Sequence, residues 1–114
     1  MPKFRKKPLI VDAMQFNHAG DNGAAVIHWA LGHVVANPLD QDREIFVAQI
    51  PVPGNEDNVF HAICTRTADG VCLYSEAGDY IIRGEHGEFH IISEDQFNKV
   101  YEPIVILMGS DLTQ

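Results

Sequence analysis

A chain of 114 residues, 46% of them hydrophobic, is long enough for one domain whose core needs neither disulfides nor a metal. Four of its eight Lys and Arg residues lie in the first seven positions, so residues 8–114 hold four basic residues against all sixteen acidic ones; the net charge near −12 argues against a nucleic-acid partner. Neither an apolar run of about 20 residues nor the apolar core of a signal peptide is visible, so we expect a cytoplasmic protein with no membrane partner.

The first third of the chain predicts a strand followed by a helix. Residues 8–16 place apolar side chains on both faces of a strand, which favours a central position in a sheet. Apolar residues at helical spacing then predict a short helix over about 22–31. Asp21 or Asn22 supplies its cap, and Gly32 is its natural end.

Two strands are predicted after this helix. The first is short and covers residues 34–36. The second covers residues 45–52, and Pro51 and Pro53 place its end at the edge of a sheet, because proline cannot donate a ladder hydrogen bond.

The next segment predicts a hairpin. Residues 59–66 and 71–75 form its strands, and Asp69-Gly70 fits a two-residue turn between them. This register puts Cys64 and Cys72 on opposite faces, so we expect two buried free thiols and no disulfide.

Residues 80–92 predict a second hairpin, because His86-Gly87 also fits a two-residue turn. Side chains alternate between the faces of a strand, so this register predicts one core face and one polar face. The core face holds Tyr80, Ile82, Phe89 and Ile91. The polar face holds Arg83, Glu85, Glu88 and His90.

The polar face is the predicted ligand- or partner-binding surface. Its opposed Glu85 and Glu88 repel each other, and either a nearby cation or a longer turn would relieve this repulsion. The candidate binding residues are Arg83, Glu85, Glu88, His90 and Asp79. The alternative is a solvated hairpin face, with Asp79 stabilising the turn at residues 76–78 through backbone amides.

The end of the chain predicts a second short helix over about 94–101. Ser93 and Gln96 form a capping box at its start. In the C-terminal extension, residues 103–114, the apolar run 104–108 is either a buried strand or an edge that pairs with a second copy. The second possibility favours a homodimer.

Together these elements predict a single α+β domain over residues 1–114, with a basic arm at 1–7. Most of it is antiparallel sheet, a meander with hairpins at Asp69-Gly70 and His86-Gly87, packed with the two helices.

Motifs for chemistry are missing from the sequence. The six histidines show no spacing typical of a zinc site, and there is no nucleophile elbow, phosphate-binding loop or dinucleotide fingerprint. We therefore assign no catalytic residue, no metal ligand and no cofactor.

Two stretches resemble a family of small bacteriophage and prophage proteins of unassigned function. The run from Gly78 to Phe89 resembles its GDYIIxGxxGEF signature, and residues 3–8 resemble its K-x-R-K-K-P start. Family members often continue with Tyr-Pro-Cys where this chain has residues 90–92, so no role of that cysteine is carried over.

The resemblance implies a phage-type accessory protein. We expect a non-enzymatic binding module for a host protein or a small ligand. The alternatives are a structural or virion-associated component that self-assembles, and a small enzyme using Arg83, Glu88 and His90.

Overall fold

The computed structural model describes residues 2–4 and 10–104, which form six strands and two helices. In chain order the elements are β1 (Asp12–Gln15), α1 (Gly23–Leu31), β2 (Ile45–Val52), β3 (Asn55–Arg66), β4 (Cys72–Tyr74), β5 (Tyr80–Arg83), β6 (Phe89–Ile92) and α2 (Glu94–Val100).

The strands form two antiparallel sheets, which confirms the predicted α+β domain. One sheet has the order β1-β5-β6 and the other the order β2-β3-β4. The two predicted hairpins therefore lie in different sheets. β1 is an edge strand rather than the central strand that was predicted, because its only described partner is β5.

Helix α1 supplies the centre of the core. Its buried residues Val26, Ile27 and Ala30 recur at helical spacing and face both sheets. Gly23 sits so close to β2 that an added Cβ would lie 2.9 Å from the Val47 side chain. The helix ends at Gly32, which adopts the left-handed conformation at φ 78° as expected.

The remaining core residues come from both sheets and the segments beside them. They are Phe16, Val35, Ile45, Val47, Ile63 and Ile81. Burying one Ile or Phe side chain stabilises a fold by about 1.5–3 kcal/mol, so this cluster holds the two sheets around the helix.

Helix α2 begins as the capping box predicts, since the Ser93 hydroxyl accepts a hydrogen bond from the Gln96 amide. It packs on the face of the first sheet that points away from α1. There Phe97 stacks on Tyr80 with ring centroids 3.8 Å apart. Glu94 ties it to the chain before α1, because its carboxylate lies 2.6 Å from His18 Nε2.

Both hairpins have three-residue loops rather than the predicted two-residue turns. In the first hairpin Arg66 pairs with Cys72, and in the second Arg83 pairs with Phe89. The last loop residue of each is a glycine with positive φ, Gly70 at 84° and Gly87 at 81°. This is the common loop in which a type I turn is followed by a left-handed residue.

The extra loop residue shifts the strand pairing by one position, so several side chains lie on a different face from the one predicted. Cys64 and Cys72 now share a face, and Cys64 is buried while Cys72 is half-buried. Phe89 and Ile91 face α1 beside Arg83, whereas Tyr80 and Ile82 lie on the opposite face.

One further sequence prediction differs from the structure, and two others fall mostly on residues that the structure does not describe. Residues 34–36 do not form a strand; Val34 is exposed and Val35 enters the core. Most of the basic arm and residues 105–108 of the C-terminal run lie outside the described residues. Within residues 2–4 and 10–104, no helix has the length and apolarity that crossing a membrane requires.

Candidate functional site

A cleft of about 700 Å³ lies between the tips of the two hairpins. Its third wall is the loop before β2. We call it the hairpin cleft. The charged and imidazole side chains that line it are Asp42, Arg43, Glu44, Arg66, His86, Glu88 and His90.

Backbone hydrogen bonds hold both tips in the same way. The Thr67 amide donates to the Val71 carbonyl at 2.8 Å, and the Gly84 amide donates to the Glu88 carbonyl at 2.8 Å. Each loop is closed by a second bond from its positive-φ glycine. The cleft therefore has walls that are fixed by their own strands.

Glu88 is the centre of the acidic side of the hairpin cleft. One carboxylate oxygen accepts a hydrogen bond from the His86 amide at 3.0 Å, and the other lies 3.5 Å from His90 Nε2. Its own backbone amide, the His90 ring and the His86 amide all favour the charged form and lower the pKa of Glu88. Glu88 therefore stays ionised at a lower pH than an ordinary glutamate does.

Gly84 makes this arrangement possible. The Glu88 carboxylate folds back over Gly84, and a Cβ at that position would overlap it. The hydrogen bonds to His86 and His90 depend on this close approach.

Two arginines lie on the opposite side of the hairpin cleft, beside Asp42 and Glu44. Arg43 is held in place by the Asn37 carbonyl at 2.6 Å and by Asp40 at 3.9 Å. Arg66 lies over the Phe46 ring, with its guanidinium carbon 5.7 Å from the ring centroid. Within the described chain, Arg66 has no carboxylate partner inside 4.0 Å, so its charge is open to a ligand.

The structure brings together only two of the five predicted site residues. Glu88 and His90 line the hairpin cleft. Glu85 is exposed at the loop and does not line it. Asp79 accepts a hydrogen bond from the Glu76 amide at 2.8 Å, which is the turn role proposed as its alternative.

Arg83 lies on the other face of the hairpin, against α1. Its guanidinium donates to the Trp29 carbonyl at 2.5 Å and to the Ala30 carbonyl at 3.1 Å, and stacks 4.7 Å from the Trp29 ring centroid. Asp12 lies 3.7 Å away. A cation at the last carbonyls of a helix stabilises the helix, so Arg83 has a structural role.

Sequence reasoning missed the other half of the cleft. Asp42, Arg43, Glu44 and Arg66 are far from the second hairpin in the sequence, and only the packing of two sheets brings them to it. The one signal in the sequence for this half of the cleft is an arginine, Arg66, shortly before the turn at Asp69-Gly70, and it is a weak signal.

The chemistry available to the hairpin cleft is polar binding. Among the described residues no three His, Cys, Asp or Glu side chains come together in a way that would hold a metal ion. Guanidinium groups on one side of the opening face a carboxylate and two imidazoles on the other side, which suits a ligand that carries both an anionic and a cationic group.

Comparison with known proteins finds no matching family model, no matching curated protein and no matching solved structure.

Proposed function

We propose that this chain is a phage- or prophage-type accessory protein that acts as a non-enzymatic binding module in the cytoplasm of a bacterial host. Its binding site is the hairpin cleft, and its ligand is a polar segment of a host protein. The observation that carries the proposal is the cleft itself, in which Arg66 and Glu88 lie across one opening and both hairpin loops are closed by their own backbone hydrogen bonds.

The charges define the ligand chemistry. Arg66 offers a guanidinium to a carboxylate of the partner, and bidentate pairs of this kind are strong and directional. Glu88 stays ionised and accepts a basic side chain. The phage origin rests on the resemblance of residues 3–8 and 78–89 to phage and prophage proteins.

Site-specific photo-crosslinking tests the proposal. A photoreactive residue replaces Ala68, which lines the hairpin cleft, or Ala24, an exposed alanine on α1 that serves as the matched control. In a lysate of a bacterial host, we expect the Ala68 probe to label one protein. Arg66→Gln and Glu88→Gln should each abolish that labelling.

Two results would contradict the proposal. One is equal labelling from the Ala24 and Ala68 positions, which indicates non-specific contact. The other is labelling from Ala68 that survives both charge-removing substitutions, which places the partner elsewhere.

A second candidate function is self-assembly as a structural or virion-associated component, beginning with a homodimer. The observation that favours it is the set of exposed apolar side chains on β3, β4 and the segments next to them. Its members are Val59, Phe60, Val71, Leu73 and Tyr74. Native mass spectrometry tests this candidate: a concentration-dependent dimer or larger species supports it, and a monomer at all concentrations contradicts it.

A further inference from the structure

Cys64 and Cys72 are neighbours on one face of the first hairpin. Cys64 pairs with Tyr74, and Arg66 pairs with Cys72. The two cysteines are therefore diagonal neighbours on adjacent strands. Both are free thiols.

The two thiols differ in access to solvent. Cys64 lies in the middle of the sheet and is fully buried, with its thiol 3.8 Å from the Thr65 carbonyl. Cys72 is half-buried at the first residue of β4, directly after the loop. An attacking reagent reaches Cys72 before it reaches Cys64.

The electrostatic surroundings point in the same direction. The neighbouring Cys64 thiol and then the Arg66 guanidinium lower the pKa of Cys72. Burial, followed by the hydrogen bond to Cys72 and its charge, raises the pKa of Cys64 to about 12. The thiolate is the reactive form of cysteine, so Cys72 is the nucleophile of the pair.

We propose that Cys64 and Cys72 form a redox-active dithiol that a low-molecular-weight disulfide of the glutathione class oxidises to a reversible cross-strand disulfide. This activity is separate from binding in the hairpin cleft.

The exchange proceeds in two balanced steps. The Cys72 thiolate attacks one sulfur of the small disulfide, forms a mixed disulfide and releases the other half as a thiolate. Cys64 then loses its proton to solvent, attacks the Cys72 sulfur and releases the second half. The protein loses two electrons and two protons, and the small disulfide takes them up as two thiols.

Formation of the mixed disulfide itself favours the second step. Burial is the largest cause of the raised pKa of the Cys64 thiol and remains in the mixed disulfide, but the further increase that Cys72 causes is removed once Cys72 is bound to glutathione. Cys64 therefore becomes easier to ionise when its partner sulfur is ready to be attacked.

The geometry predicts that the protein disulfide is easily reduced. Diagonal neighbours in a sheet lie about 7–8 Å apart at Cα, at or beyond the upper limit for an unstrained disulfide. β4 has three residues and pairs with β3 alone among the described strands, so it is the element that must shift. Strained disulfides are the labile ones.

Peptide mapping after exposure to oxidised glutathione tests the proposal. Trypsin cuts after Arg66, between the two cysteines, so the disulfide joins peptides 44–66 and 67–83, which are otherwise separate. We expect this linked pair in the wild-type protein and its loss after mild treatment with dithiothreitol.

Single-cysteine variants assign the roles. Cys64→Ser should stop at one glutathione on residue 72, whereas Cys72→Ser should react at least tenfold more slowly than wild type because Cys64 is buried. Arg66→Gln should raise the pKa of Cys72, and each unit of rise should slow the first step about threefold. The smaller fraction of thiolate outweighs the higher nucleophilicity of the thiolate that remains.

The wild-type protein alone decides the proposal if a variant fails to fold. A stable glutathione adduct on Cys72 that never yields the linked peptides would overturn it. So would disulfides only between separate chains, or no reaction under conditions that fully modify a short peptide containing one cysteine.

Discussion

The two hairpins share one backbone plan but use it differently. Each strand before the loop ends in arginine, Arg66 or Arg83, and each loop has three residues of which the last is a positive-φ glycine. Both arginines stack on an aromatic ring. Arg66 borders the hairpin cleft and Cys72, whereas Arg83 holds the end of α1.

The roles of these two arginines follow from what each sheet packs against. Arg83 lies on the face that α1 covers, so its donors meet helix carbonyls and its charge is used within the fold. Arg66 lies over the Phe46 ring, and no carboxylate of the described residues lies within 4.0 Å of it, so its charge remains available. Local sequence makes the two residues look alike.

Replacing each arginine with alanine should give the largest difference in stability between the two hairpins. Arg83→Ala removes charge-assisted hydrogen bonds to two helix carbonyls and should lower the free energy of unfolding by about 2–3 kcal/mol. Arg66→Ala should cost less than about 1 kcal/mol, because it loses a long cation–π contact and an interaction with the half-buried Cys72 thiol. Urea unfolding measures both, and equal losses would contradict the assigned roles.

The two loop glycines should respond alike, since the loops have the same geometry. Gly70→Ala and Gly87→Ala each force a Cβ into the left-handed region and should cost about 1–2 kcal/mol. Neither Cβ would meet another atom within 4 Å, so the cost is conformational rather than steric. Gly70→Asn and Gly87→Asn are the controls and should cost less. Thermal unfolding tests this, and a marked difference between the two loops would show that they are not equivalent.

The smallest expected effect is at Gly84, where the hairpins differ. Gly84→Ala should displace the Glu88 carboxylate from His86 and His90 with little loss of stability, because a flexible side chain moves aside. The Glu88 pKa should rise toward its ordinary value. A carbon-detected NMR titration of the Glu88 carboxyl measures the change, and an unaltered titration would show that the contact with Gly84 is unimportant.

This shift also gives a direction for stability against pH. The folded state lowers the Glu88 pKa, so its contribution is present above the unfolded pKa and is lost as pH falls through the folded value. Glu88→Gln should therefore weaken the dependence of the free energy of unfolding on pH on the acid side, which urea unfolding at several pH values measures.

Local signals in the sequence were sufficient for most elements. Ser93 with Gln96, Gly32 and the prolines around β2 each act within a few residues, and the helices and strands they mark are confirmed. Loop length was harder, because glycine after Asp69 or His86 fits two-residue and three-residue loops equally well. A two-residue turn of type I′ needs positive φ at both positions, and no described residue other than glycine has it.

One signal in the sequence did favour the longer loop. A two-residue turn opposes Glu85 and Glu88, whereas in the three-residue loop the Gly84 amide pairs with Glu88 instead. The candidate site could be predicted only in part because its other wall, with Arg43 and Arg66, comes from a different sheet.

The position of every side chain on the second hairpin depends on its register, and cross-strand NOEs between backbone protons measure that register. We expect contacts that pair Arg83 with Phe89 and Ile81 with Ile91. Contacts that pair Arg83 with His90 and Ile81 with Ile92 would contradict it, because they would return Arg83 to the face that carries Glu88.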